Sequence, residues 1–162
     1  MPQRVTNPFL SKSVVVSTYA IISAMPARDI LRDIVKEALI KDGWIITHDP
    51  FTVSFGIRTV YVDLGVERLL GVQRGNDKLV IEVKSFVGMS KIADLERALG
   101  QYMIYQSWLK RTHPDRVRYV AIDDVAHKAI FLDISGQVLI EDYAIRMIIV
   151  DAAKQEIVQW IQ

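Results

Sequence analysis

Three residues on two apolar runs carry the chemistry this chain can be expected to perform. Glu82 and Lys84 lie two apart in Leu79-Val80-Ile81-Glu82-Val83-Lys84, a run otherwise apolar enough to be a buried strand. Side chains alternate faces along a strand, so Val80, Glu82 and Lys84 share one side and Leu79, Ile81 and Val83 the other. Asp63 lies on a second β-like run, Thr59-Val60-Tyr61-Val62-Asp63-Leu64, nineteen positions before Glu82. An acid followed by acid-x-lysine on the next strand is the layout of a Mg²⁺-dependent phosphodiesterase site. Such a site holds the ion with hard oxygen ligands and leaves room for water and phosphate. Asp63 and Glu82 supply carboxylates, and the backbone carbonyl of Val83 offers a third ligand. Lys84 then stands beside the attacking water or the phosphate, where developing negative charge calls for an ammonium. Asp33, on the first helix, is the candidate for a further carboxylate, with Glu37 one turn on. A plainer reading stands beside this one. Glu-x-Lys is common as an exposed ion pair worth well under ~1 kcal/mol, and Asp63 can simply end a strand. Placement favours the chemical reading, because charges on central apolar strands are costly unless they have a use.

Two further groupings bear on the same chemistry. Gln101 and Tyr105 are four apart on a long helical pattern and share a face. An amide and a phenol there can hold an active-site loop or bind a DNA phosphate, or equally can be a surface Gln beside a packing Tyr. Lys110, Arg111, His113, Arg116 and Arg118 form a basic cluster between that helix and the next strand. It can meet a phosphate backbone, although a solvated helix end drawn to its own dipole is the simpler account. His48 has no second histidine nearby and reads as structural rather than as a metal ligand.

The elements that must position these residues follow from periodicity and punctuation. Residues 27–42 form an amphipathic helix with Ile30, Leu31, Ile34, Val35, Ala38 and Leu39 on its apolar stripe and Gly43 as its stop. Strands are expected at 44–47, 59–66 and 78–85, with a strand or loop at 67–73 and a turn at Arg74-Gly75-Asn76-Asp77. Ser90 caps a long helix to about residue 111, with Ile92, Leu95, Leu99, Tyr102, Met103 and Tyr105 on or near its buried face. A strand at 116–122, short helices at 123–132 and 136–142, and strands at 145–151 and 156–161 complete the chain. Strands on both sides of a long helix require a crossover, hence an α/β layer arrangement around a central mixed sheet.

Composition bounds the function classes. At 162 residues the chain is one domain with room for a real core. A net charge of +1 advertises no global field for nucleic acid, so any DNA contact must come from a local patch. The absence of cysteine excludes disulfides and thiolate metal sites, and makes a cytoplasmic location the default. Residues 1–24 contain a mildly apolar stretch, Val14 to Ile22, that imitates a signal peptide. Ser17, Thr18 and Ser23 interrupt it, and it is too short to span a membrane. The expectation is an N-terminal extension, disordered or arising from an upstream start, with Met1 and Met25 both open as starts. Residues 25–162 then form a single domain.

Several stretches are distinctive together. Met25-Pro26-Ala27-Arg28-Asp29-Ile30, Ala38-Leu39-Ile40-Lys41-Asp42-Gly43-Trp44, Ile46-Thr47-His48-Asp49-Pro50, Val62-Asp63-Leu64-Gly65, Ile81-Glu82-Val83-Lys84-Ser85-Phe86, Ala98-Leu99-Gly100-Gln101-Tyr102 and Glu156-Ile157-Val158-Gln159-Trp160-Ile161 resemble the XisH family. The likeness runs nearly end to end over 25–162. It implies an fdxN-element excision controlling factor of the kind found in cyanobacteria, acting on DNA beside a site-specific recombinase and with a small partner, XisI. It also implies a restriction-endonuclease-like three-layer fold of the PD-(D/E)xK type and a Mg²⁺ or Mn²⁺ cofactor. Asp63, Glu82 and Lys84 fall on that superfamily's signature, Asp33 roughly on its first-helix acid, and Gln101 with Tyr105 on the Q-x-x-x-Y helix of one nuclease branch. Val62 stands where the signature has proline. The functional expectation is a Mg²⁺-dependent endonuclease-like protein in element excision. The alternatives are a non-catalytic DNA-binding regulator of recombination, or one half of a two-protein, toxin–antitoxin-like pair.

Overall fold

The computed structural model describes residues 26–69 and 76–162. The expectation for an extension over 1–24, and the part of the 67–73 expectation beyond Leu69, lie outside the described residues.

The first helix, α1 (Ala27–Lys41), buries Leu31, Val35, Ala38 and Leu39 of the stripe that helical spacing dictates, while Ile34 is half-buried and Ile30, in the first turn, is exposed. Its end is set by Gly43 at φ +88, which lets the Trp44 N–H turn back to the Leu39 carbonyl at 3.0 Å. Strand β1 (Ile45–His48) follows. The periodicity reading leaves 51–58 unassigned and treats 59–66 as one strand, and the structure departs from both. Phe51–Phe55 (β2) and Arg58–Val62 (β3) form a hairpin of their own, tied at a turn that holds Gly56 at φ +59. The chain then bends at Asp63 and enters β4 (Leu64–Leu69), which belongs to the main sheet. Within β2 the buried Phe51 and Val53 alternate with the exposed Thr52 and Ser54, a strand period present in the residues that the periodicity reading leaves unassigned.

Strand β5 (Asn76–Val83) takes in Asn76 and Asp77, which were expected in a turn. Next come α2 (Lys91–Thr112), β6 (Val117–Asp123), α3 (Asp124–Ile130), α4 (Ile134–Asp142), β7 (Met147–Asp151) and β8 (Glu156–Ile161). Ser90 caps α2 by accepting from the Ala93 N–H at 3.2 Å. The six-stranded sheet runs β1-β4-β5-β6-β7-β8, with β5–β6 and β6–β7 parallel and the remaining neighbours antiparallel. This is the expected α/β architecture, a central mixed sheet between helices.

The strand period sorts the sheet into two faces. Leu64, Val66, Leu79, Ile81, Val83, Tyr119, Ala121, Ile148 and Val150 pack beneath α1. The opposite face, with Val120, Ile122, Met147 and Ile149, packs beneath α2, α3 and α4. Val80 joins Leu109 of α2 and the hairpin's Phe51, Val53 and Val62. Two residues expected on the buried face of α2 are not there: Ile92 is 65% and Met103 50% exposed. Leu109 and Trp108, near the helix end, pack instead against the hairpin, an element the periodicity reading lacks.

Candidate active site

The site gathers where β5 ends. Glu82 and Lys84 point to the same side, as strand alternation requires, and Lys84 Nζ lies 2.8 Å from Glu82 Oε1. Asp63 arrives from the bend between the hairpin and the main sheet. Its Oδ2 accepts from the Val83 backbone N–H at 2.9 Å, so its carboxylate extends the β4–β5 ladder past Leu64 and Ile81. Both carboxylates are out of water, Asp63 at 7% exposure and Glu82 at 2%. Such burial is costly unless each charge has partners.

The partners are mostly cations from α1. Arg28 Nη2 donates to Asp63 Oδ1 at 2.9 Å and lies 3.9 Å from Glu82 Oε1. Arg32 Nε is 3.8 Å from Asp63 Oδ1, while its Nη2 pairs with Asp49, which also takes Lys36 Nζ at 2.7 Å. Arg28, Arg32 and Lys36 thus form a basic stripe at four-residue spacing that faces acids of the sheet side. Burial works against the Arg28 charge, but Asp63 outweighs it and holds the guanidinium above its usual range. Lys84 Nζ also donates to Gln101 Oε1 of α2, so the helix fixes the ammonium from the other side. Glu82 Oε2 is buried and has no hydrogen-bond partner among the described residues. Beside the carboxylates opens a cavity of about 210 Å³ lined by Arg28, Lys84, Ser85, Arg97 and Gln101 among others.

Tyr105, one turn beyond Gln101, is half-buried. Burial first, and the Glu82 charge second, push its phenol above the usual range. Part of its environment is Arg118, which sequence placed in the solvated basic cluster. Arg118 is 1% exposed on β6, on the same sheet face as Glu82. Its Nη1 donates to the Tyr102 carbonyl at 2.6 Å, and the guanidinium carbon lies 4.6 Å from the Tyr102 ring centre and 5.3 Å from that of Tyr105. Its Nε and Nη2 have no partner. Burial lowers its pKa, against the pull of Glu82.

The other expected residues lie elsewhere. Asp33 and Glu37 are exposed on α1, and the α1 side chains that reach Asp63 are arginines. Arg116 is paired with Glu67 at 2.6 Å, its guanidinium over the Phe51 ring. Arg111 bonds back to Ser107 of its own helix, and Lys110 is exposed nine residues along α2 from Gln101, about 14 Å of helix rise. His48 sits at the sheet edge against Thr47 and Phe51. The periods alone do not assign Arg28 or Arg32 to the site, and they leave Arg118 in the solvated basic cluster. For the first two a signal existed in the four-residue spacing of basic residues on α1, whereas nothing local marks Arg118 as buried.

Among the described residues no three Asp, Glu or His side chains gather as a metal set. Two carboxylates with an unpartnered buried oxygen, next to a backbone carbonyl, still suit Mg²⁺, which is commonly held by one or two carboxylates plus water. Fold and site together define an α/β protein with a carboxylate–lysine–glutamine constellation at the end of a central strand. Residues 25–158 match the family described as XisH protein, and the chain belongs to that family. It is similar to the crystal structure of an XisH family protein from Nostoc punctiforme PCC 73102, with 36% identity, a TM-score of 0.75, and coverage of 82% of this chain and 99% of that one. It is equally similar to that of an fdxN element excision controlling factor protein from Anabaena variabilis, with 36% identity, a TM-score of 0.75, and coverage of 83% and 100%. No curated protein matches the chain. Among the described residues no helix is long and apolar enough to cross a membrane.

Proposed function

We propose that this chain is an excision controlling factor whose Asp63–Glu82–Lys84 site is a Mg²⁺- or Mn²⁺-dependent DNA phosphodiesterase site of the PD-(D/E)xK type. The observation that carries the reading is the convergence of Asp63, Glu82, Lys84 and Gln101 at the end of β5, with both carboxylates buried and Glu82 Oε2 unpartnered. Asp63 and Glu82, with the Val83 carbonyl, would hold the ion. When bound, the ion supplies Lewis-acid polarisation of a phosphoryl oxygen. Lys84, steadied by Glu82 and Gln101, presents a fixed ammonium to the negative charge that develops on the phosphate. The adjoining cavity carries Arg28, Lys84 and Arg97 at its wall against one carboxylate, Asp94, which lies 3.8 Å from Arg97, an excess of positive charge that suits a phosphate. An XisI-like partner and a site-specific recombinase belong to the same proposal, and co-purification tests them.

The test is incubation of the purified protein with supercoiled and branched DNA plus Mg²⁺ or Mn²⁺. Nicking by the wild type that disappears in Glu82→Ala and Lys84→Ala supports the reading. Equal nicking by all three proteins overturns it. A second reading, a non-catalytic DNA-binding regulator, is favoured by one observation, the Arg28 guanidinium standing against both carboxylates. It expects metal-independent DNA binding that weakens steeply with salt.

A further inference from the structure

We propose that Arg28 is an internal cation at the Asp63–Glu82 pair, which a divalent metal must displace, so that this one side chain sets the metal affinity of the site. The inference rests on the metal-site reading above and adds its regulation. Three cationic side chains already face these two carboxylates. Arg28 lies 2.9 Å from Asp63 and 3.9 Å from Glu82, Arg32 3.8 Å from Asp63, and Lys84 2.8 Å from Glu82. A divalent ion brought to the same oxygens adds two more positive charges in a buried place, where like charges repel strongly. One resident cation has to leave.

The structure distinguishes which. Lys84 is 17% exposed and held by both Glu82 and Gln101. Arg32 is 26% exposed and tied to Asp49, which Lys36 also engages. Arg28 is 51% exposed, in the first turn of α1, and among the described residues its ion-pair partners are the two carboxylates. It is the cation with the least to lose in water. It also lines the cavity beside the pair, together with Arg97 and Lys84, so a side chain released from the carboxylates is already at the wall of the space a phosphate would enter.

Mn²⁺ titration of the full chain, with free ion read by electron paramagnetic resonance at fixed ionic strength, tests the exchange without any measurement of cutting. Arg28→Gln is expected to lower the apparent Kd about tenfold, the size of one removed neighbouring charge. Lys36→Gln removes a charge from the same helix face at Asp49 and is expected to change it less than about twofold. Wild-type binding that Arg28→Gln leaves equal or weakens overturns the exchange while the proposed function stands. A matching gain in Lys36→Gln also overturns it, since general charge would then suffice. Absence of Mn²⁺ binding in every protein removes the proposed function and this inference together. Should Arg28→Gln melt early by circular dichroism, Arg28→Lys keeps the charge but shortens its reach, and a smaller gain in the same direction supports the exchange where none overturns it.

Discussion

The two faces of the central sheet are built from the same strands and differ in kind. Beneath α1, β5 presents the buried apolar Leu79, Ile81 and Val83. Beneath α2, the same strand presents Val80, Glu82 and Lys84, and β6 presents Arg118 beside them. Burial of apolar area is non-directional and cumulative, so the α1 face can carry stability without specifying chemistry. The α2 face buries charges, each of which needs a particular partner in a particular place. Neighbouring residues on one strand therefore have separable roles, and that separation can be attacked directly.

The largest expected effect is on the α1 face. Ile81→Ala, at a position with no exposure, should cost about 2–5 kcal/mol of unfolding free energy by denaturant titration. Under the proposed function, the folded fraction of that variant cuts DNA as the wild type does; a cutting defect confined to fully folded variant protein would break the division. Lys84→Met, three residues away on the other face, should act first on the chemistry. Cleavage by the proposed site falls about 10²–10³-fold, the loss typical of one preorganised transition-state donor, and the denaturation midpoint falls as well, because buried Glu82 loses the cation 2.8 Å from it and keeps Arg28 at 3.9 Å. A smaller effect is expected at Arg118. Among the described residues Arg118 has no ion pair, and two of its buried nitrogens lack a hydrogen-bond partner, so Arg118→Met gives up one hydrogen bond but also removes an uncompensated buried charge and should shift stability by no more than about 2 kcal/mol. Because Arg118 lowers the Tyr105 phenol's pKa, that phenol should titrate still higher in the variant when followed by ultraviolet absorbance.

The smallest effect is in pH dependence, and it too belongs to the α2 side. Burial, and then Lys128, hold the His127 imidazole of α3 below its usual range. The unfolded chain therefore binds its proton at higher pH than the folded one. Stability contributed there is present above the unfolded pKa, near 6.5, and is lost as pH falls through it. His127→Gln should flatten the fall in melting temperature between about pH 7 and 5. An unchanged slope would show that His127 is not the group responsible.

Much of this arrangement was legible in the residues. The shared face of Glu82 and Lys84, the Ser90 cap, the α1 stripe and the paired closing strands all follow from local periods and capping chemistry. Asp63 is legible as an acid near a strand, but not as the point where the chain leaves one sheet for another, because Val60, Val62, Leu64 and Val66 keep one period of two across the bend while the two halves pair with different strands. The basic residues misled more. Arg116 and Arg118 read as solvated charges; one is clasped by Glu67 over Phe51 and the other is walled in by Tyr102 and Tyr105.

By itself the sequence determined what a two-residue or a four-residue period can decide. Glu82 and Lys84 lie on one side of β5, and Arg28, Arg32 and Lys36 on one side of α1, since backbone geometry alone sets those directions. Tertiary structure decided what those sides meet. Asp63 reaches the Val83 amide only because the hairpin and the main sheet part there, and Arg28 reaches both carboxylates only because Leu31, Val35, Ala38 and Leu39, on the adjoining side of α1, dock the helix on the sheet. A charge's direction is a local property of its strand or helix, whereas its partner and its solvation belong to whatever packs over it.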